Sequence, residues 1–155
     1  MQQMQVLLDS NMLLRWVEPD QPDQAIVARS LGRLQLADAD LCYTSLNIGE
    51  FWNALTRPAN RNGYGLTPAE ADRRAYAIES RITLLPDTPE VHIVWRSLLL
   101  AHAISGAQVH DARLVAAMHV HGVKRILTFN TRDFARFADI EAVHPADLAR
   151  AGARE

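Results

Sequence analysis

Two short apolar runs constrain this chain more than any other feature. Val6, Leu7 and Leu8 follow one another with no polar residue between them. A strand with one wet face alternates, so this run reads as a strand covered on both faces. Arg125 to Phe129 forms a second short, mainly apolar run. Each stops abruptly at polar residues, the first at Asp9 and Ser10, the second at Asn130, Thr131, Arg132 and Asp133. Covering both faces of a sheet requires helices on either side, and the rest of the chain supplies them.

Asn11 to Val17 reads as a short helix stopped before Pro19, and Asp23 to Leu36 as a longer one with Ala25, Ile26, Leu31 and Leu34 as its buried stripe. The segment DQPDQ between them is loop. Leu41 to Thr44 reads as a strand, and Leu46 to Leu55 as a helix capped by Ser45 and stopped by Pro58. Arg57 to Gly65 is loop by its proline, asparagines and glycines. Thr67, Pro68 and Glu70 open a helix that runs to about Arg81, and Ile82 to Leu85 is a strand candidate. Thr88 and Pro89 open the next helix, in which Val91, Val94, Trp95, Leu98, Leu99 and His102 trace one face as far as a Gly106 stop. Asp111 to His121, closed by Gly122, comes next. Ile140 to Val143 and Pro145 to Arg150 read as a last strand and helix. This alternation predicts an α/β chain with a mostly parallel sheet between helical layers.

Acids fall where packing alone would place apolar groups. Asp111, Val115 and Met118 share a helical face, and Asp111 also sits in a first turn, where free N–H groups favour a carboxylate. Leu46, Glu50 and Ala54 are successive i, i+4 neighbours, which puts Glu50 on an apolar face. Asp9 ends the first strand, and Asp133 closely follows another. Taken singly, these acids have plain structural readings: a dipole-stabilised acid for Asp111, an ion-pair partner of Arg57 or Arg61 for Glu50, and a helix cap for Asn130. Taken together, they require neutralisation by protons, arginines or a cation. Oxygen-only donors favour magnesium or manganese. His119 and His121 lie two apart and face different ways, so zinc is not indicated.

Composition narrows the function classes. The 155 residues, 48% hydrophobic, are enough for one domain (1–155) that buries about 70% of its unfolded surface. With 16 basic and 18 acidic residues the net charge is -2, which argues against bulk attraction to nucleic acid or membrane. The lone Cys42 leaves no intrachain disulfide and suits a reducing compartment. The first residues lack the basic and long apolar regions of a signal peptide, so a soluble, cytoplasmic protein is expected.

In their order, VLLDSN, then IGEFWNALTRP, then VHDARLVAAMHVHGVKRILTFNTRDF resemble the PIN-domain ribonucleases, and specifically the VapC-like toxins of toxin-antitoxin pairs. The resemblance runs from Val6 to about Pro145. It implies a PIN-like three-layer α/β/α sandwich and a magnesium-dependent endoribonuclease, with manganese as a possible substitute ion. Carried over by position, Asp9, Glu50 and Asp111 match the first three acids of that family, with Asp9 and Asp111 as the main metal ligands. The fourth position falls in NTRDF, where Asn130 and Asp133 are both candidates. Ser10, Asn11 and Thr128 match polar positions that line the family's site. The implied partners are RNA, a VapB-like antitoxin and a second copy of the chain, with no membrane. Arg57, Arg61, Arg113 and Arg132 lie near the acids in sequence and are candidates for contacting phosphates.

Haloacid dehalogenase phosphatases and phospho-receiver domains fit less well. The first needs an acid where Asn11 stands. The second needs a lysine after a strand, whereas Lys124, the only lysine, precedes one. The non-enzymatic alternative is an inactive PIN-like module that binds protein or RNA.

Overall fold

The computed structural model describes residues 3–18 and 22–151. Pro19, Asp20 and Gln21, which include the expected helix stop and part of the DQPDQ loop, lie outside the described residues. Five strands, β1 (Gln5–Leu8), β2 (Asp40–Tyr43), β3 (Thr83–Leu84), β4 (Arg125–Leu127) and β5 (Glu141–Val143), form one sheet in the order β3-β2-β1-β4-β5. Every pairing is parallel. The unalternated runs behave as expected. Val6 and Leu8 join the core on one face of the sheet, and Leu7 joins the core on the other. Leu41 and Tyr43 divide from Cys42 in the same way, and Leu127 from Ile126.

Helices cover both faces. α1 (Ser10–Val17), α2 (Gln24–Leu36), α3 (Ser45–Thr56) and α4 (Pro68–Glu79) contribute to the first core. α5 (Pro89–Ala101) and α6 (Gln108–His121) contribute to the second. α7 (Pro145–Ala151) packs against α2. The result is the three-layer α/β/α sandwich with a parallel sheet that the sequence implies.

Some local expectations move. The buried stripe of α2 is Val27, Ser30, Leu31 and Leu34, while Ala25 is exposed. Leu31 and Leu34 have the right phase, but Ala25 lies two residues from Val27 and so on nearly the opposite side of the helix. The cap of α3 is Thr44 rather than Ser45. Thr44 Oγ1 accepts the Asn47 N–H at 3.2 Å, and Asn47 Oδ1 accepts the Thr44 N–H at 2.9 Å, a reciprocal capping box. α6 begins at Gln108, three residues before Asp111, yet Asp111 remains in its first turn. It ends at Gly122, whose φ of 71° is the left-handed conformation that lets a glycine close a helix.

The order of strands positions a crevice. β1 lies between β2 and β4, so the chain reverses direction across the sheet beside β1. The carboxyl ends of β1 and β4 flank the switch point where α/β proteins gather ligands.

Candidate active site

The chain leaves β1 still paired to its neighbour, with the Asp9 N–H donating to Leu127 O at 3.0 Å. Asp9 then caps α1, and its Oδ1 accepts the Ser10 N–H at 2.8 Å. Its Oδ2 accepts the Thr128 hydroxyl, just beyond β4, at 2.7 Å. Thr128 Oγ1 in turn accepts the Asn130 N–H at 3.0 Å. Asp9 is only 9% exposed, and Thr128 is fully buried. A third strand end joins through Asn47, which is fully buried in the first turn of α3 and donates to Ser10 Oγ at 3.2 Å. A polar belt therefore ties together the carboxyl ends of β2, β1 and β4.

The other acids gather around this belt, as their mutual electrostatics record. Burial raises the Asp9 carboxyl above its usual range; the Thr128 and Ser10 hydrogen bonds oppose this, and Asp133 adds to it. Burial also raises Asp111, and Asp133, Asp9 and Glu50 push it further, to about 6, against the pull of Arg136. Loss of water raises Glu50 as well, helped by Asp9 and opposed by His110. Like charges act this way only when close, so Asp9, Glu50, Asp111 and Asp133 share one neighbourhood. Asp133 sits half-buried in the short 3-10 turn Thr131–Phe134, and it acts on both Asp9 and Asp111. Asn130 precedes that turn, is exposed, and makes no side-chain cap; its contribution to the belt is its backbone N–H.

One expectation needs correction. Glu50 does not lie on a buried apolar face. The buried residues of α3 are Asn47, Phe51, Ala54 and Leu55, whereas Glu50 is exposed and Leu46 half-buried. Glu50 stands at the rim of the acidic group, on the exposed side of α3. Solvent reaches its side chain while the neighbouring protein still strips enough water from the carboxylate to raise its pKa.

The arginines also redistribute. Arg113 is bound to Asp87 at 3.0 and 3.1 Å and stacks on Trp95, and Arg57 donates to Asn62 O at 3.1 Å. Arg61 and Arg132 are exposed. The guanidinium whose charge acts on Asp111 is that of Arg136, which also donates to the Gln108 side chain. Sequence reading missed Arg136 and Asn47. Their available signals were spacing alone: Arg136 follows Asp133 by three residues, and Asn47 precedes Glu50 by three.

The donors fit a hard divalent cation in their chemistry. All four carboxylates offer oxygen, and among the described residues Arg136 opposes the raised Asp111 and His110 the raised Glu50 without reversing either shift. Asn11 Oδ1, two residues past Asp9, is a buried oxygen without a partner. Among the described residues no three His, Cys, Asp or Glu side chains close into a ready-made cage. Magnesium does not require one, because it keeps several waters and binds through one or two carboxylates. A cavity of about 670 Å³ lined by Gln5, Asp40, Lys124 and Arg125 opens at the other, amino-terminal ends of the strands and contains none of these acids.

The acids thus gather beside the switch point of a parallel sheet. The PIN-domain family model matches residues 6–140, and the chain belongs to that family. No curated protein matches it by sequence. Among solved structures, the chain is similar to the VapBC2 complex from Rickettsia felis bound to promoter DNA, at 12% identity and TM-score 0.67, covering 91% of this chain and 98% of that one. It is similar to VapC20 of Mycobacterium tuberculosis, described as a sarcin-ricin loop cleaving toxin, at 16% identity and TM-score 0.63, covering 85% and 95%. It is likewise similar to FitAcB from Neisseria gonorrhoeae, at 21% identity and TM-score 0.62, covering 90% and 97%. At these identities the structural likeness speaks for the fold.

Proposed function

We propose that this protein is a magnesium-dependent endoribonuclease, the toxin of a VapBC-like toxin-antitoxin pair. The observation that carries this reading is the elevation of the Asp9, Glu50 and Asp111 carboxyls, by burial first and by neighbouring acids second, beside the Asp9–Thr128 hydrogen bond that joins the carboxyl ends of β1 and β4. Such an arrangement is costly to an empty fold and useful to a cation site.

In this reading Asp9 and Asp111 hold the ion, with manganese able to replace magnesium. When bound, a divalent ion lowers the pKa of a coordinated water and offsets the charge that develops on the phosphodiester. Glu50, at the rim, ligates the ion or orients the attacking water. Asp133 fills the fourth acidic position and Asn130 supports it through the backbone. Thr128 and Ser10 fix the Asp9 carboxylate, so its remaining lone pairs have set directions. Arg136, beside Asp111, is placed to meet a phosphate without reading a base.

One similar structure, from Klebsiella pneumoniae, is by its description a toxin-antitoxin complex, and an antitoxin is the expected partner here, together with a second copy of the chain. Ile93 and Leu100 support a protein partner. They are 64% and 82% exposed and lie seven residues apart on one side of α5. No helix among the described residues is long and apolar enough to cross a membrane, and a cytoplasmic location is expected.

The second reading, a PIN-like module that binds RNA or protein without cutting, draws on the absence of a closed three-ligand cage among the described residues. Purified protein incubated with total RNA in magnesium, with and without EDTA, separates the two. The nuclease reading predicts discrete fragments that vanish with EDTA and return on adding magnesium. Intact RNA in magnesium, from protein that retards RNA on a gel, selects the binding module.

A further inference from the structure

Among the described residues, the belt around Asp9 contains one hydroxyl proton that has no protein acceptor. The Thr44 N–H lies 2.9 Å from Asn47 Oδ1, and a backbone N–H only donates, so that atom of the side-chain amide is its oxygen. The other atom, Nδ2, must then face Ser10 Oγ, 3.2 Å away, and an amide nitrogen also only donates. Ser10 Oγ is therefore the acceptor. Its own hydroxyl proton is turned elsewhere.

The same accounting closes every other hydroxyl in the belt. Thr44 Oγ1 accepts the Asn47 N–H and donates to Asn47 Oδ1 at 2.9 Å. Thr128 Oγ1 accepts the Asn130 N–H and donates to Asp9 Oδ2. Asp9 Oδ1 already receives the Ser10 N–H. Of the belt's hydroxyls among the described residues, only that of Ser10 has its proton left over, in a residue 7% exposed and adjacent to Asp9.

We propose that Asn47 is a positioning residue which turns the Ser10 hydroxyl proton into the acidic crevice, where it donates to a phosphodiester oxygen of bound RNA. The identity of the ligand rests on the nuclease reading; the direction of the Asn47–Ser10 bond does not. Four carboxylates repel a phosphate. A neutral donor at the N-terminus of α1 adds attraction without adding a charge for the cation to compete with. The amide at position 47 is essential to this arrangement. Aspartate would serve Thr44 equally well as acceptor, but it would take the Ser10 proton and reverse the bond.

Asn47→Asp, Ser10→Ala and the double variant test this, with thermal melts to verify folding. Two readouts are taken: KM and kcat for a short single-stranded RNA in magnesium, and its Kd by fluorescence anisotropy in calcium, another hard ion with oxygen ligands. Each single variant is expected to raise KM and Kd roughly 10-fold, the scale of one hydrogen bond to a charged group. The double variant is expected to be no worse than the weaker-binding single. Wild-type affinity in Asn47→Asp, or a double variant weakened by the product of the two singles, overturns the proposal. If Asn47→Asp does not fold, Ser10→Ala must lose affinity and Ser10→Thr must keep it; equal affinities refute the contact. A wild type that binds RNA without cutting it refutes the nuclease reading, and the anisotropy series then decides this proposal alone. A wild type that neither binds nor cuts refutes both.

Discussion

Asp111 occupies the first turn of a helix, where the dipole ordinarily favours a carboxylate and lowers its pKa. Here the opposite holds. Burial and three neighbouring acids push it up to about 6, and Arg136 only partly compensates. The helix terminus does not offset that crowding. Asp111→Asn removes the charge and keeps the shape. In EDTA at neutral pH this variant is expected to be more stable than wild type by about 1 kcal/mol, or roughly 2–4 °C in Tm for a domain of this size. Differential scanning calorimetry checks it, and a lower Tm than wild type would mean that Asp111 is stabilised where it sits. The position of Asp9 was legible because an apolar run that ends in acid leaves few other readings, and that of Asp111 because it shares a helical face with Val115 and Met118. The exposure of Glu50 was not, because helical periodicity places a residue on a face without saying whether anything covers that face. Asn47 was invisible for a related reason: an asparagine inside a helix has no pattern until its partner from another strand is known.

At the scale of elements, the site depends on how β1 is held to β4. Thr128 joins them, donating to Asp9 and accepting from Asn130. Thr128→Val keeps the volume and removes both bonds. The expected cost is about 1–3 kcal/mol in stability, from the Asn130 N–H and the Asp9 Oδ2 that lose their partner, with a 10–100-fold loss of magnesium affinity, the usual penalty for removing a group that orients a metal ligand. Chemical denaturation and a metal titration measure the two separately. Unchanged metal affinity would remove Thr128 from the site's support. Strand existence and the double coverage of the sheet were readable from β1 and β4 because the signal was short, dense and unambiguous. Boundaries were less so. Thr44 and Ser45 are both good caps by type, and the choice between them is made by Asn47 three residues after Thr44, through a reciprocal bond that either residue's identity alone does not specify. The phase of α2 slipped for the same kind of reason, since Ala25 and Val27 are both apolar and only packing against the first core decides between them.

For the molecule as a whole, the crowded acids set the dependence of stability on pH. A carboxyl raised on folding holds its proton at pH values where the unfolded chain has already lost it, so the folded state binds more protons and stability falls as pH rises. With Asp9 and Glu50 raised and Asp111 raised from 3.8 to about 6, the metal-free protein is expected to lose stability from about pH 4 to just above 6 and to level off beyond. A divalent cation binds the deprotonated acids and should restore stability at pH 7.5 while doing little at pH 4.5. Tm against pH, in EDTA and in magnesium, shows whether the two curves diverge in this way; parallel curves would contradict it.

The most direct test of the central claim, that these acids converge on one cation site, is a calorimetric titration of manganese into wild type, Asp9→Asn and Asp111→Asn at pH 7.5. Because losing a group that merely orients a ligand costs up to about 100-fold, losing a ligand itself should cost more. The account predicts saturable binding to wild type and a loss of more than about 100-fold in each variant, both still folded. Manganese binding equally tight in all three proteins, or no binding to wild type at all, would contradict it.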